Sequence, residues 1–154
     1  MQKTEYLSKE KHAEVTAELH ELKTVRRKEI AQALEYARSL GDLSENAEFN
    51  KAREDQAVVE DRIAQIENVL ANAEIIKVHH SSTVEVGTKV HLLKKGEKKE
   101  EIYIIVGSEE VDVLASKISL KSPIGAAVLG KKQGDVVNVK TPKGVIEYTI
   151  SKIE

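Results

Sequence analysis

Gly41-Asp42-Leu43-Ser44-Glu45-Asn46-Ala47-Glu48-Phe49 separates two long stretches of helical periodicity, and that break decides the fold. Glycine just past a periodic run ends a helix, because without a Cβ it enters the left-handed conformation of a C-cap at no steric cost. The stretch therefore predicts the bend of a helical hairpin. It also concentrates acid: Asp42, Glu45 and Glu48 fall within seven positions. A bend adds little to a core, so its carboxylates call for a reason.

Upstream, Ser8 followed by Lys9-Glu10 is a helix start. From there Val15, Leu19, Leu22, Ile30, Ala33, Ala37 and Leu40 recur at three- and four-residue steps, interrupted by Arg26 at a seam position. No Gly or Pro intervenes before Gly41, which predicts one continuous helix of about 30 residues, about 45 Å long. Downstream, Ala52, Gln56, Val59, Ile63, Ile66, Leu70 and Ala73 alternate steps of four and three, a heptad seam with Gln56 as a register-setting polar residue. Two such seams joined by a short loop pack antiparallel. Ala33, Ala37, Ala47 and Ala52 let the arms approach closely near the bend.

The bend residues allow two readings. Asp42 and Glu45 have the D-x-x-E spacing of a capping box, with Asp at the N-cap and Glu reaching back to its amide. Neighbouring carboxylates are also hard-oxygen ligands of the kind Mg²⁺ takes one or two at a time, its other positions going to water and phosphate. Such a pair would complete a site that another macromolecule half supplies. Likewise Arg26, Arg27, Lys28 and Arg38 are either partners for acids along the helices or a ridge for phosphates. Lys51 and Arg53 raise the same pair of options, with Glu48, Glu54 and Asp55 in reach.

Bulk composition narrows the classes. With 32% charged residues, 3% aromatics and no Trp, the chain suits a long solvated helical element better than one large round core. A formal net charge of −2 argues against a strongly basic nucleic-acid binder. Acid dominates residues 41–77, where nine Asp+Glu face four Lys+Arg. Without cysteine there are no disulfides or thiolate sites, which fits a reducing cytosol. The sequence has no apolar run near the length of a membrane span and no signal pattern after Met1, so a cytoplasmic protein with no membrane partner is expected.

After Ala73 the composition shifts, predicting a hairpin domain over 1–76 and a second domain over 77–154. In the latter, strands are expected at 75–78, 89–93, 101–106, 117–120, 135–141 and 145–153. Ser122-Pro123-Ile124 opens one short helix, with Ser at the N-cap and Pro at N1. The fold class is α+β: an antiparallel helical hairpin, then a small antiparallel sheet carrying one short helix. His79-His80 lacks a third spaced ligand and reads as a loop; Glu109, Glu110 and Asp112 read as a solvated acidic loop. No nucleophile–base spacing or phosphate loop is present, so this half reads as a docking module.

Val25-Arg26-Arg27, the bend from Gly41 to Phe49, Ile118-Ser119, Ser122-Pro123-Ile124, Leu129-Gly130-Lys131 and Val139 to Gly144 together resemble the Gre family of bacterial transcript-cleavage elongation factors, GreA-like in charge balance. The resemblance runs nearly end to end, and the G-D-L-x-E-N-A-E stretch is its most specific part. It implies a coiled-coil hairpin and an FKBP-like second domain. It implies that Asp42 and Glu45 help hold a second Mg²⁺ in the active centre of RNA polymerase, reached through the secondary channel, with no metal held tightly by the free protein. Arg38 and Arg53 would contact the nascent RNA 3′ end, and Ser122, Pro123 and Ile124 would grip the polymerase. On this reading the chain is not an enzyme by itself but stimulates the polymerase's own RNA cleavage. Phe49 stands where Tyr is common in the family, and Ala126 where Arg often stands. Two rivals remain: a channel-plugging inhibitor of the same shape, and an FKBP-type prolyl isomerase.

Overall fold

The computed structural model describes residues 4–42, 46–77 and 81–154. Strand β1 (Glu5–Leu7) leads into helix α1 (Lys9–Glu21), a π-helical turn (Leu22–Arg26) and helix α2 (Arg27–Ser39). Helix α3 (Ala47–Ala71) returns to β2 (Ala73–Ile75). Then follow β3 (Lys89–Lys94), β4 (Glu100–Val106), a 3₁₀ turn (Ser108–Glu110), β5 (Lys117–Ser119), α4 (Pro123–Val128), β6 (Val136–Thr141) and β7 (Gly144–Ile153). Contacts gather His12–Asn72 into one compact unit, and the chain up to Lys11 with Ala73–Glu154 into the other.

In the hairpin unit the first arm is helical throughout but not α-helical throughout. Leu22 and Ile30 are eight residues apart, and an α-helix at about 100° per residue would carry Ile30 about 80° past Leu22 after two turns. The π turn takes up one extra residue and returns Ile30 to the seam. Ile30, Val59 and Ile63 form the buried cluster, with Leu19, Leu22 and Leu34 packed against it. Gln56 is exposed, so it sets no register. Val69 is buried where Leu70 was expected, and Ala33 and Ala47 face solvent. The close approach near the bend falls to Ala37 and Ala52, both buried.

In the other unit the sheet order is β5-β4-β3-β7-β6, antiparallel except that β5 runs parallel to β4. Alternation selects its core: Val90 and Leu92 on β3, Val137 and Val139 on β6, and Tyr148 and Ile150 on β7 are buried together with Val84, Ile105 and Val128. Helix α4 begins as expected, with Ser122 Oγ accepting the Gly125 N–H at 3.0 Å. The expected strand at 75–78 instead starts at Ala73, and it pairs in parallel with β1, which hydrophobic patterning had missed. His79 and His80 lie outside the described residues.

The loop expected to be solvated is held in place. Ser8 Oγ caps α1 by accepting the Lys11 N–H at 3.0 Å and donates to the Glu110 carboxylate. Asp112 Oδ1 accepts the N–H groups of Leu114 and Ala115. Gly107 sits so close to β1 that a Cβ there would lie 1.9 Å from the Tyr6 carbonyl oxygen. Gly107→Ala should therefore push β1 off its seat and lower the unfolding free energy by about 1–3 kcal/mol, read from urea denaturation. An unchanged midpoint would show that β1 is not held this tightly.

Candidate functional site at the hairpin bend

Where α2 meets α3, each helix leaves backbone groups without intrahelical partners. On the α2 side the Leu40 N–H turns back to the Ala37 carbonyl at 3.2 Å and the Gly41 N–H to the Arg38 carbonyl at 3.4 Å. Gly41 has φ of +111°, the positive value the sequence calls for. On the α3 side the N-cap is Asn46, in extended conformation, and not Asp42. Asn46 Oδ1 accepts the Phe49 N–H at 3.1 Å, and its Nδ2 donates to the Ala37 carbonyl at 2.7 Å. The capping box expected of Asp42 and Glu45 is thus overturned, because the helix starts four residues later. Asn caps as well as Asp, and Glu48 adds negative charge to the first turn where the helix dipole favours it. An Asn followed by an acidic first turn was the signal that the D-x-x-E spacing obscured.

Asp42 is exposed just before α3, on a residue that belongs to neither helix. Glu45 lies outside the described residues. Arg38, in the last turn of α2, is exposed and makes no ion pair among the described residues. Arg53, on α3, places its guanidinium carbon 5.9 Å from the centroid of the Phe49 ring, within the range of a cation–π contact. Phe49, Asn50, Arg53 and Glu54 border a cavity of about 460 Å³. Arg38 follows buried Ala37 and Arg53 follows buried Ala52, so each leaves the seam one residue beyond a close approach of the arms.

Most other cations of the hairpin, Lys28 apart, are spent on structure. Lys23 pairs with Glu67, Arg27 with Glu60 and Arg62 with Glu18, each across the two arms. Arg26 pairs with Glu29 and Lys51 with Asp55 along their own helices. Arg27 and Glu60 are bidentate, at 2.7 and 2.6 Å. The hydrogen bond from Arg27 holds the Glu60 carboxyl below the usual carboxylate range, and Glu60 in turn raises Arg27.

In the sheet unit Ser122 spends its hydroxyl on the α4 cap, Ile124 packs partly buried on the core, and Pro123 and Ala126 are exposed. A cavity of about 850 Å³ in this unit is lined among the described residues by Tyr6, with Ile76, Val84, Leu120 and Leu129. No group of three or more His, Cys, Asp or Glu that could hold a metal occurs among the described residues. Nor is any described helix long and apolar enough to cross a membrane.

A helical hairpin with an acidic bend, joined to a mostly antiparallel sheet unit, defines a two-part α+β protein with its candidate chemistry on the bend. Residues 5–75 match the family model for the transcription elongation factor N-terminal domain, and residues 79–154 match the GreA/GreB C-terminal one. The transcription elongation factor GreA of Listeria welshimeri is 46% identical over 143 residues, covering 92% of this chain and 89% of the relative. That of Streptococcus suis is 44% identical over 155 residues, covering 99% and 97%. Among solved structures, Thermus aquaticus Gfh1 is 27% identical and covers 98% of each chain, with a TM-score of 0.45. The chain belongs to the GreA/GreB family of transcription elongation factors.

Because Glu60 has a lower pKa folded than unfolded, its pairing stabilises the hairpin above the unfolded value and is lost as pH falls through the folded one. Thermal unfolding followed by circular dichroism should show a melting temperature that drops across this acidic range, less steeply in Glu60→Gln. The pair is exposed, so 1 M salt should shrink the difference. Identical acid profiles for the two proteins would remove Arg27–Glu60 from the account.

Proposed function

We propose that this protein stimulates RNA polymerase to cleave its own backtracked transcript, by bringing Asp42 and Glu45 to a Mg²⁺ in the polymerase active centre. The observation that carries the reading is the Asn46 cap. With α3 capped by Asn46, that duty does not fall to Asp42, whose carboxylate is exposed at the bend. Membership of the GreA/GreB family supports the elongation role.

Carboxylate oxygens suit Mg²⁺, and one or two from this chain match the share that Mg²⁺ takes from protein when phosphate and water fill the rest. When bound, such an ion favours ionisation of an attacking water and steadies charge on phosphoryl oxygens. The chain's own part would be to carry the acids of the bend where two helices meet. The polymerase remains the catalyst. Arg38 and Arg53 would meet the phosphates of the displaced RNA 3′ end, since most cations further along the arms, Lys28 apart, are engaged by Glu18, Glu29, Glu60 and Glu67. Helix α3 spans about 37 Å at 1.5 Å per residue, a reach suited to the polymerase's secondary channel. The corner at Ser122, Pro123 and Ile124 would dock on the polymerase through its exposed Pro123, with the other two residues shaping it. A partner of this kind would be met in the cytoplasm.

A stalled, backtracked polymerase with labelled RNA and limiting Mg²⁺ tests this. Asp42→Asn or Glu45→Gln should reduce stimulated cleavage by about 10- to 100-fold, the scale seen when a group supporting a metal is lost, while competition shows unchanged polymerase binding. Arg38→Ala with Arg53→Ala should weaken cleavage most at low salt, because added salt already screens these phosphate contacts in the wild type. Slowed elongation without RNA shortening by the wild-type protein would indicate a channel-plugging inhibitor. Full cleavage by the acid variants would refute the assignment.

A further inference from the structure

Asn46 makes two hydrogen bonds with one side chain, and only one of them is capping. A cap needs an acceptor for the Phe49 N–H, which Ser, Thr or Asp would supply as well. The second bond needs a donor. In an uninterrupted α-helix the Ala37 carbonyl would receive the Gly41 N–H, but that N–H has turned to the Arg38 carbonyl. The Asn46 amide takes the vacated place at 2.7 Å, shorter than the 3.2 Å bond from Leu40 to the same oxygen. Among short side chains an amide carries its donor and acceptor on separate atoms, so it can serve two sites at once. The two bonds also dictate its orientation, since the reverse would set two donors and two acceptors against each other.

The bond from Asn46 closes a stretch of chain across a sequence separation of nine, and Asp42 lies inside it. Its anchor is firm, since Ala37 is wholly buried between the arms. We infer that Asn46 is a positioning residue, whose amide ties the start of α3 to the end of α2 and so fixes where the bend presents its acid. This rests on the reading of the bend given above. A ligand displaced by about 1 Å forfeits much of its effect on a reaction centre, and losing the tie would loosen the junction of α2 and α3 that carries Asp42. More Mg²⁺ should then compensate.

Asn46→Ser and Asn46→Asp both keep an acceptor for Phe49 and both lose the donor to Ala37. Serine is too short to reach the carbonyl, and a carboxylate facing it has no proton to give. Both should melt slightly below the wild type, by the loss of one hydrogen bond, and Asn46→Ala, which also loses the cap, should melt earlier still. In the cleavage assay with backtracked polymerase, both should need about three- to tenfold more Mg²⁺ for half-maximal stimulation, the scale of one net hydrogen bond. Both should regain the wild-type rate at saturating Mg²⁺, with polymerase binding unchanged. Wild-type Mg²⁺ dependence in both would overturn the inference. So would opposite shifts in Ser and Asp, which would point to charge in place of the tie. Asp42→Asn, run alongside, separates the two levels. If it abolishes cleavage while the Asn46 variants behave as wild type, only the positioning role falls; if it cleaves normally, the reading of the bend falls and takes this inference with it.

Discussion

Two helix ends meeting in a short bend create a shortage of hydrogen-bond partners, and the way this protein meets it shapes everything at the site. The end of α2 offers carbonyls without donors and the start of α3 offers N–H groups without acceptors. Asn46 satisfies one of each, against Ala37 and Phe49. Gly41 supplies the positive φ that lets the chain leave α2. Because a neutral amide handles the junction, a carboxylate nearby is not required to cap the helix.

Further from the bend, the arms are joined by a modest apolar seam and a series of exposed ion pairs. Burying Ile30, Val59 and Ile63 contributes about 1.5–3 kcal/mol per side chain. Exposed pairs contribute far less each. Their greater effect is on where positive charge remains available: Lys23, Arg27 and Arg62 are tied to the opposite arm, whereas Arg38 and Arg53 make no ion pair among the described residues. Near the bend, pairing as much as composition decides which cations stay available, since Lys51 is taken by Asp55.

Much of this was legible in the residues, and the failures share a cause. The hairpin, the strand pairs around Gly96 and Gly144, and the Ser122 cap follow from periodicity and turn chemistry, which are local. The Asp42 capping box failed because two overlapping N-cap signals compete, and only the position of Ala37, nine residues upstream of Asn46, decides between them. Strand β1 was invisible because three residues carry no periodicity; its pairing with β2 is a long-range event, made possible by Gly107 lying against Tyr6. Glu110 read as solvated because its partner, Ser8, is 102 positions away.

The π turn shows the same principle acting on the first arm. In sequence, Arg26 falls on the apolar seam, where a charged head group would lose its hydration without a partner. Shifting the helix phase by one residue removes that conflict. Arg26 stays exposed beside Glu29, and Arg27 reaches across to Glu60. Ile30 regains the seam, and from there Leu34 and Ala37 follow at α-helical steps into the bend. The burial of Ala37, on which the Asn46 bond depends, is therefore set in part by a correction made about three turns earlier in the arm. An arm without that extra residue would turn Ala37 off the seam and take the anchor away from Asn46.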